Sequence, residues 1–113
     1  MTSVLLVCDR DGCIKSCVAT GHAEFVRKGS DIVCAAESSL MRTAIEVLES
    51  TQALTVKKDV STRGTLAFHV ECEYPADPEL KGRLKCVADF LRTGFGDLTC
   101  EYPDNVQMRE EIE

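Results

Sequence analysis

The segment from Ile32 to Ser50 constrains the fold most, because it reads as one amphipathic helix with a single apolar stripe. Ser30 or Asp31 is the expected cap at its start. At 100° per residue, the apolar side chains spaced three and four apart share an arc of about 120°. They are Val33, Ala36, Leu40, Ala44, Val47 and Leu48. Such a stripe has to be buried against another layer of structure, so the rest of the chain must supply that layer.

Segments with strand character flank this helix on both sides. Apolar or alternating residues, separated by turns such as the Asp11-Gly12 hairpin signal, predict four strands. They are Ser3–Cys8, Cys13–Thr20, Ala53–Val60 and Thr65–Glu73. The alternation in the fourth strand places Leu66, Phe68, Val70 and Cys72 on one face. Residues 23–30, rich in glycine and charge, are expected to form a loop.

A second helix is predicted after Asp77-Pro78, an N-cap followed by proline at the first helical position. Gly94 and Gly96 are expected to loosen it, and the stretch Tyr102-Pro103-Asp104 ends it. Val106 to Met108 completes the pattern as a last short strand. The order ββαββαβ predicts an α+β fold, a two-layer sandwich of a mostly antiparallel sheet and two helices.

Length and composition narrow the class of protein. With 113 residues, a single domain over 1–113 is expected. No apolar run reaches the roughly 18 residues of a membrane span, and the N-terminus lacks the features of a signal peptide. A cytoplasmic protein without a membrane partner is therefore expected. The net charge of −6 disfavours direct nucleic-acid binding and suits a basic protein partner. Seven cysteines, an odd number, argue against a secreted disulfide scaffold, and most are expected to fill the core.

His22 and Cys34, twelve positions apart, are the candidate catalytic pair. The predicted helix places Cys34 in its first turn, at the border of the apolar stripe, with Asp31 and Ser38 on the same flank. Unpaired backbone N–H groups and the helix dipole there lower the pKa of a thiol and stabilise an oxyanion. A histidine base and an activated thiol are two of the parts that nucleophilic catalysis needs.

Other interpretations of these residues stay open on composition alone. Cys34 sits in an apolar run and could be a core residue, and His22 could be an exposed loop residue. His69 is expected on the solvated face of its strand. Cys13, Cys17, His22 and Cys34 could be imagined as zinc ligands, but two cysteines four apart on a strand are about 13 Å apart. The chain contains no CxxC motif. We therefore expect no metal and no cofactor.

Two joined motifs carry a family resemblance. Gly21-His22-Ala23, the spaced Gly29, and the run Asp31-Ile32-Val33-Cys34-Ala35-Ala36 with Ser38 resemble the signature of the bacterial ribosomal-processing cysteine protease family, Prp. The weaker resemblance of the remaining chain fits that family's small α+β domain.

The resemblance implies a function. Proteases of this family remove an N-terminal extension from large-subunit ribosomal protein twenty-seven and form homodimers. It implies Cys34 as nucleophile and His22 as general base, with Asp31, Ser38 and Gly21 in supporting roles. The alternative is a non-catalytic ribosome-associated binding module with structural cysteines, in which Cys34 is dispensable.

Glu37 is the main departure from that pattern, because the family usually has a small apolar residue there. Its helical angle places it inside the apolar arc, facing the core or a dimer interface. A snorkelling or interface side chain is one interpretation, and a carboxylate that orients His22 is another. Burial is expected to raise its pKa unless it finds a partner. The stretch Thr93-Gly94-Phe95-Gly96 is a second departure, which could break the second helix.

Overall fold

The computed structural model describes residues 1–21 and 30–113. Its elements, in chain order, are β1 (Thr2–Cys8), β2 (Ile14–Gly21), α1 (Ser30–Glu49), β3 (Leu54–Asp59), β4 (Thr65–Cys72), α2 (Pro78–Glu101) and β5 (Val106–Ile112). The predicted order ββαββαβ is confirmed. Residues 23–29 of the expected loop lie outside the described residues, and Ser30 already belongs to α1.

The strands form one five-stranded sheet in the order β3-β4-β2-β1-β5. Three neighbouring pairs are antiparallel, and only β1 and β5 run parallel, so the mostly antiparallel sheet is confirmed. The β1–β2 hairpin turns where the Asp-Gly signal predicted. Asp9 Oδ1 accepts hydrogen bonds from the backbone N–H groups of Asp11 and Cys13. Gly12 has a φ of +85°, a conformation that glycine adopts without strain.

Both helices pack into one apolar core with the sheet. Helix α1 packs mainly on β3 and β4, whereas α2 packs mainly on β1, β2 and β5. Of the predicted stripe, Val33, Ala44 and Leu48 are buried, and its other members pack partly buried against the core. Met41 and Ile45 are also buried, so the buried stripe is wider than the arc predicted from spacing.

Helix α2 begins as predicted and runs further than its glycines suggested. Asp77 Oδ1 accepts a hydrogen bond from Leu80 N at 2.8 Å, and proline follows at the first helical position. The helix is unbroken through Gly94 and Gly96, contrary to the expected loosening. A Cβ at Gly94 would lie 2.7 Å from Leu40 Cδ2, so this glycine lets the two helices approach closely.

Two further expectations differ from the structure. The last strand runs to Ile112 rather than Met108, because its polar half pairs with β1 although its side chains are exposed. Most cysteines were expected in the core. Three of the seven are buried, namely Cys8, Cys13 and Cys17. Three others are exposed, at the end of β4 (Cys72) and along α2 (Cys86 and Cys100).

Within residues 1–21 and 30–113, no helix is long and apolar enough to cross a membrane.

Candidate active site

Cys34 lies near the start of α1. The helix begins at Ser30, two residues earlier than predicted, so Cys34 is its fifth residue. The N–H groups that lack helical partners at a helix start therefore precede Cys34 in the chain. The expected cap residues Ser30 and Asp31 are already helical.

Cys34 occupies the border between the core and the surface. Val33, one position before it, is 2 % exposed and packs in the core, whereas Ile32 is 62 % exposed. Cys34 is half-buried. This is the border position that the helical angle predicted, and it leaves part of the residue accessible to a substrate.

The other predicted site residues are only partly described. Ser38 is half-buried and follows Cys34 by four positions, so it lies on the same flank of α1. The side chain of Asp31 lies outside the described residues, as do His22 and Gly29. The pairing of His22 with Cys34 therefore stays a prediction.

Gly21 ends β2 immediately before His22 in the chain. It is paired with Thr2 of β1, and its N–H donates to Gly64 O at 2.9 Å. A Cβ at this position would lie 2.8 Å from both Met1 O and Thr2 Cα. Its φ is not positive, unlike those of Gly12 and Gly64. Gly21 is thus required by a close backbone approach, not by a positive φ.

Glu37 is buried within the chain itself. It is 5 % exposed, and its Oε1 has no hydrogen-bond partner among the described residues. Burial raises the pKa of Glu37, while the Thr2 side chain and the N-terminal ammonium oppose the shift. The prediction that this side chain points into the apolar arc is confirmed, and the snorkelling interpretation is wrong. The helical period predicts the buried position of Glu37. It does not predict the contact with Thr2 of β1, because that contact joins distant parts of the sequence.

The other residues considered for a metal site or a functional role are Cys13, Cys17 and His69. Burial raises the pKa of Cys17 to about 12, so this thiol is neutral at neutral pH. The Cys13 thiol contacts Lys81 O at 3.6 Å. His69 is part-exposed, with Nδ1 4.0 Å from Glu71 Oε1. Among the described residues, no group of three His, Cys, Asp or Glu side chains could hold a metal ion.

Comparison with known proteins agrees with the motif resemblance. Residues 1–107 match the family model described as cysteine protease Prp. The chain is 24 % identical over 93 residues, covering 82 % of both chains, to the ribosomal processing cysteine protease Prp of Bacillus subtilis (strain 168).

Solved structures show the same fold. SMU.848 from Streptococcus mutans superposes with a TM-score of 0.75 at 23 % identity, over 100 % of this chain and 96 % of that one. The essential ribosomal processing protease Prp from S. aureus, in complex with a substrate peptide, gives a TM-score of 0.76 at 14 % identity. That match covers 98 % of this chain and 100 % of the other. At these identities the superpositions establish the fold alone.

Proposed function

Since the chain belongs to the cysteine protease Prp family, we propose that it is a cysteine endopeptidase with Cys34 as nucleophile and His22 as general base. Residues 1–113 would form one protease domain. The observation that carries the assignment is the family match over residues 1–107, which includes both motifs. The half-buried position of Cys34 near the start of α1 supports this assignment, since a nucleophile must be held in place by its neighbours and still be accessible to the substrate.

The proposed reaction is ordinary acyl transfer through a thioester. His22 accepts the proton of the Cys34 thiol, and the thiolate attacks the carbonyl carbon of the scissile peptide bond. Backbone N–H groups at the start of α1 stabilise the tetrahedral oxyanion. His22 then gives its proton to the departing amine, and the thioester remains on Cys34. Water hydrolyses this thioester, which releases the acid product and restores the thiol.

The proposed substrate is the N-terminal extension of large-subunit ribosomal protein twenty-seven. Two findings support it: the motif resemblance, and the relative from Bacillus subtilis, which is named a ribosomal processing protease. The structure of the S. aureus protein holds a substrate peptide. The net charge of −6 suits a basic ribosomal protein. We also propose a cytoplasmic homodimer that binds neither nucleic acid nor a membrane directly, as the family resemblance implies.

Cleavage of a peptide that spans the extension junction tests this assignment. Cys34→Ala and His22→Ala should each lower kcat/KM by roughly 10⁴-fold or more, because each removes a member of one catalytic unit. The chain offers matched controls: Cys86→Ala, at an exposed cysteine of α2, and His69→Ala, at the other histidine. Both controls should cleave like the unmodified protein, with mass spectrometry locating the cut.

The binding-module alternative predicts the opposite result. If Cys34→Ala retains the activity of the Cys86→Ala control, the protease assignment is wrong. Circular dichroism on all four variants separates a lost catalytic group from a lost fold.

A further inference from the structure

Glu37 is a buried acid in the helix turn that follows Cys34. One of its carboxyl oxygens, Oε1, is inaccessible to solvent, and no hydrogen-bond partner for it lies in residues 1–21 or 30–113. An unsatisfied buried polar atom destabilises a protein, and an apolar side chain at this position of the stripe would avoid that penalty. The proposed catalytic roles of Cys34 and His22 do not use this carboxyl group. An acid held here at an energetic cost is therefore a candidate for a role beyond packing.

The contacts of Glu37 lead from α1 to the sheet. Its carboxyl group interacts with the side chain of Thr2, the first residue of β1. Thr2 is in turn paired with Gly21, the last residue of β2. The two strand ends are so close that a Cβ on Gly21 would lie 2.9 Å from Thr2 Oγ1. Glu37, Thr2 and Gly21 thus form a continuous packed link.

This link joins the two parts of the chain that bear the predicted catalytic pair. Cys34 precedes Glu37 by three positions, so the two side chains are neighbours on the helix. His22 follows Gly21 directly in the chain. We propose that Glu37 is a positioning residue, which acts through Thr2 to hold the end of β2 against the turn of α1 that carries Cys34. The proposal rests on the protease function proposed above.

The charge state of Glu37 bears on this role. The groups whose interactions reach its carboxyl are the Thr2 hydroxyl and the N-terminal ammonium, and both favour the ionised form. Burial acts more strongly in the opposite direction and favours the neutral acid. As pH rises, ionisation places an incompletely paired charge between α1 and β1. Ionisation strengthens the attraction of Thr2 and the ammonium but leaves a charge buried, so the strength of the link depends on pH. That pH-dependent component of activity should disappear when Glu37 cannot ionise.

Four variants and two matched controls test the proposal. Glu37→Gln keeps the shape and hydrogen-bonding capacity without the charge, whereas Glu37→Val removes the link. Thr2→Val removes the hydroxyl from the other side, and the double variant Thr2→Val/Glu37→Val completes a mutant cycle. Glu46→Gln and Glu46→Val repeat the α1 substitutions at an exposed site of the same helix, which controls for helix propensity and net charge.

The readouts are kcat and KM against pH, and the rate of Cys34 alkylation by iodoacetamide, resolved by mass spectrometry. Glu37→Val should lower kcat about 10- to 100-fold, the size expected from misplacing a catalytic group by about 1 Å, with little change in KM. Glu37→Gln should keep most of kcat but flatten the pH profile. The double variant should be no slower than the slower single variant, because both substitutions break the same link.

A stability measurement separates positioning from folding. Glu37→Val removes an unsatisfied buried group, so its urea midpoint should equal or exceed that of the unmodified protein. Slower catalysis in an equally stable variant is a result that a purely structural role does not produce. If Glu37→Val is as fast as Glu46→Val at every pH, or if the losses at Thr2 and Glu37 simply add, the proposal is wrong.

Failure of the underlying function gives a different pattern. If Cys34→Ala cleaves as well as the Cys86→Ala control, the protease assignment itself fails. The alkylation rates need no substrate, so they test the link in either case. A Cys34 rate that is unchanged by Glu37→Val and Glu37→Gln contradicts the positioning role.

Discussion

Gly21→Ala tests whether the close approach of β1 and β2 beside the site is a steric requirement. A Cβ at this position would lie 2.8 Å from two backbone atoms, Met1 O and Thr2 Cα, about 0.6 Å short of the 3.4 Å of an ordinary contact. Backbone atoms cannot rotate away as a flexible side chain would, so the strand ends must separate. Overpacking of this kind destabilises proteins by about 1–3 kcal/mol.

For a chain of this size, each kcal/mol lowers Tm by about 4 °C, so Gly21→Ala should unfold roughly 4–12 °C lower. Thermal and urea unfolding followed by circular dichroism measure the effect. Because His22 follows directly, a strand end displaced by about 0.6 Å should also reduce kcat by roughly tenfold.

Gly82→Ala is the matched control for this substitution. Gly82 is exposed within α2, and a Cβ there would meet nothing within 4 Å. Alanine should therefore stabilise the helix by about 0.5–1 kcal/mol and leave cleavage unchanged. If Gly21→Ala is as stable as the unmodified protein while Gly82→Ala behaves as expected, the steric account of Gly21 is refuted.

Two further predictions concern titratable groups. Because burial raises the pKa of Glu37, the folded state holds this proton more tightly than the unfolded chain. Stability should therefore fall as pH rises from the ordinary glutamate range through the raised pKa, and Glu37→Gln should lack that decline in urea midpoints. A decline of equal size in Glu37→Gln would assign it to other groups. Iodoacetamide at pH 7 should modify Cys34 faster than the exposed Cys72, Cys86 and Cys100, since the proposed base and the helix start favour its thiolate form. Cys17, with a pKa of about 12, should react only on unfolding, and faster modification of the three exposed thiols would contradict the proposed role of Cys34.

The elements of the fold were largely predictable because local periodicity reports which face of each element is buried. The stripe of α1 and the Asp77-Pro78 start of α2 are local signals, and both are confirmed. The length of β5 was not predictable, since its polar half is held by backbone pairing with β1 rather than by burial. The role of Gly94 was not predictable either, because it depends on close contact with Leu40 of the other helix.

For the candidate site, the sequence by itself determined the motifs, the border position of Cys34 and the inward direction of Glu37, because each follows from spacing along one helix. Only the tertiary structure decided that Gly21 is required for space and that Glu37 meets Thr2, with one oxygen unpaired within the part of the chain that the structure describes. These contacts join residues that are 19 and 35 positions apart in the chain. Periodicity describes one element at a time, whereas distances between elements exist only once the sheet and helices have packed together.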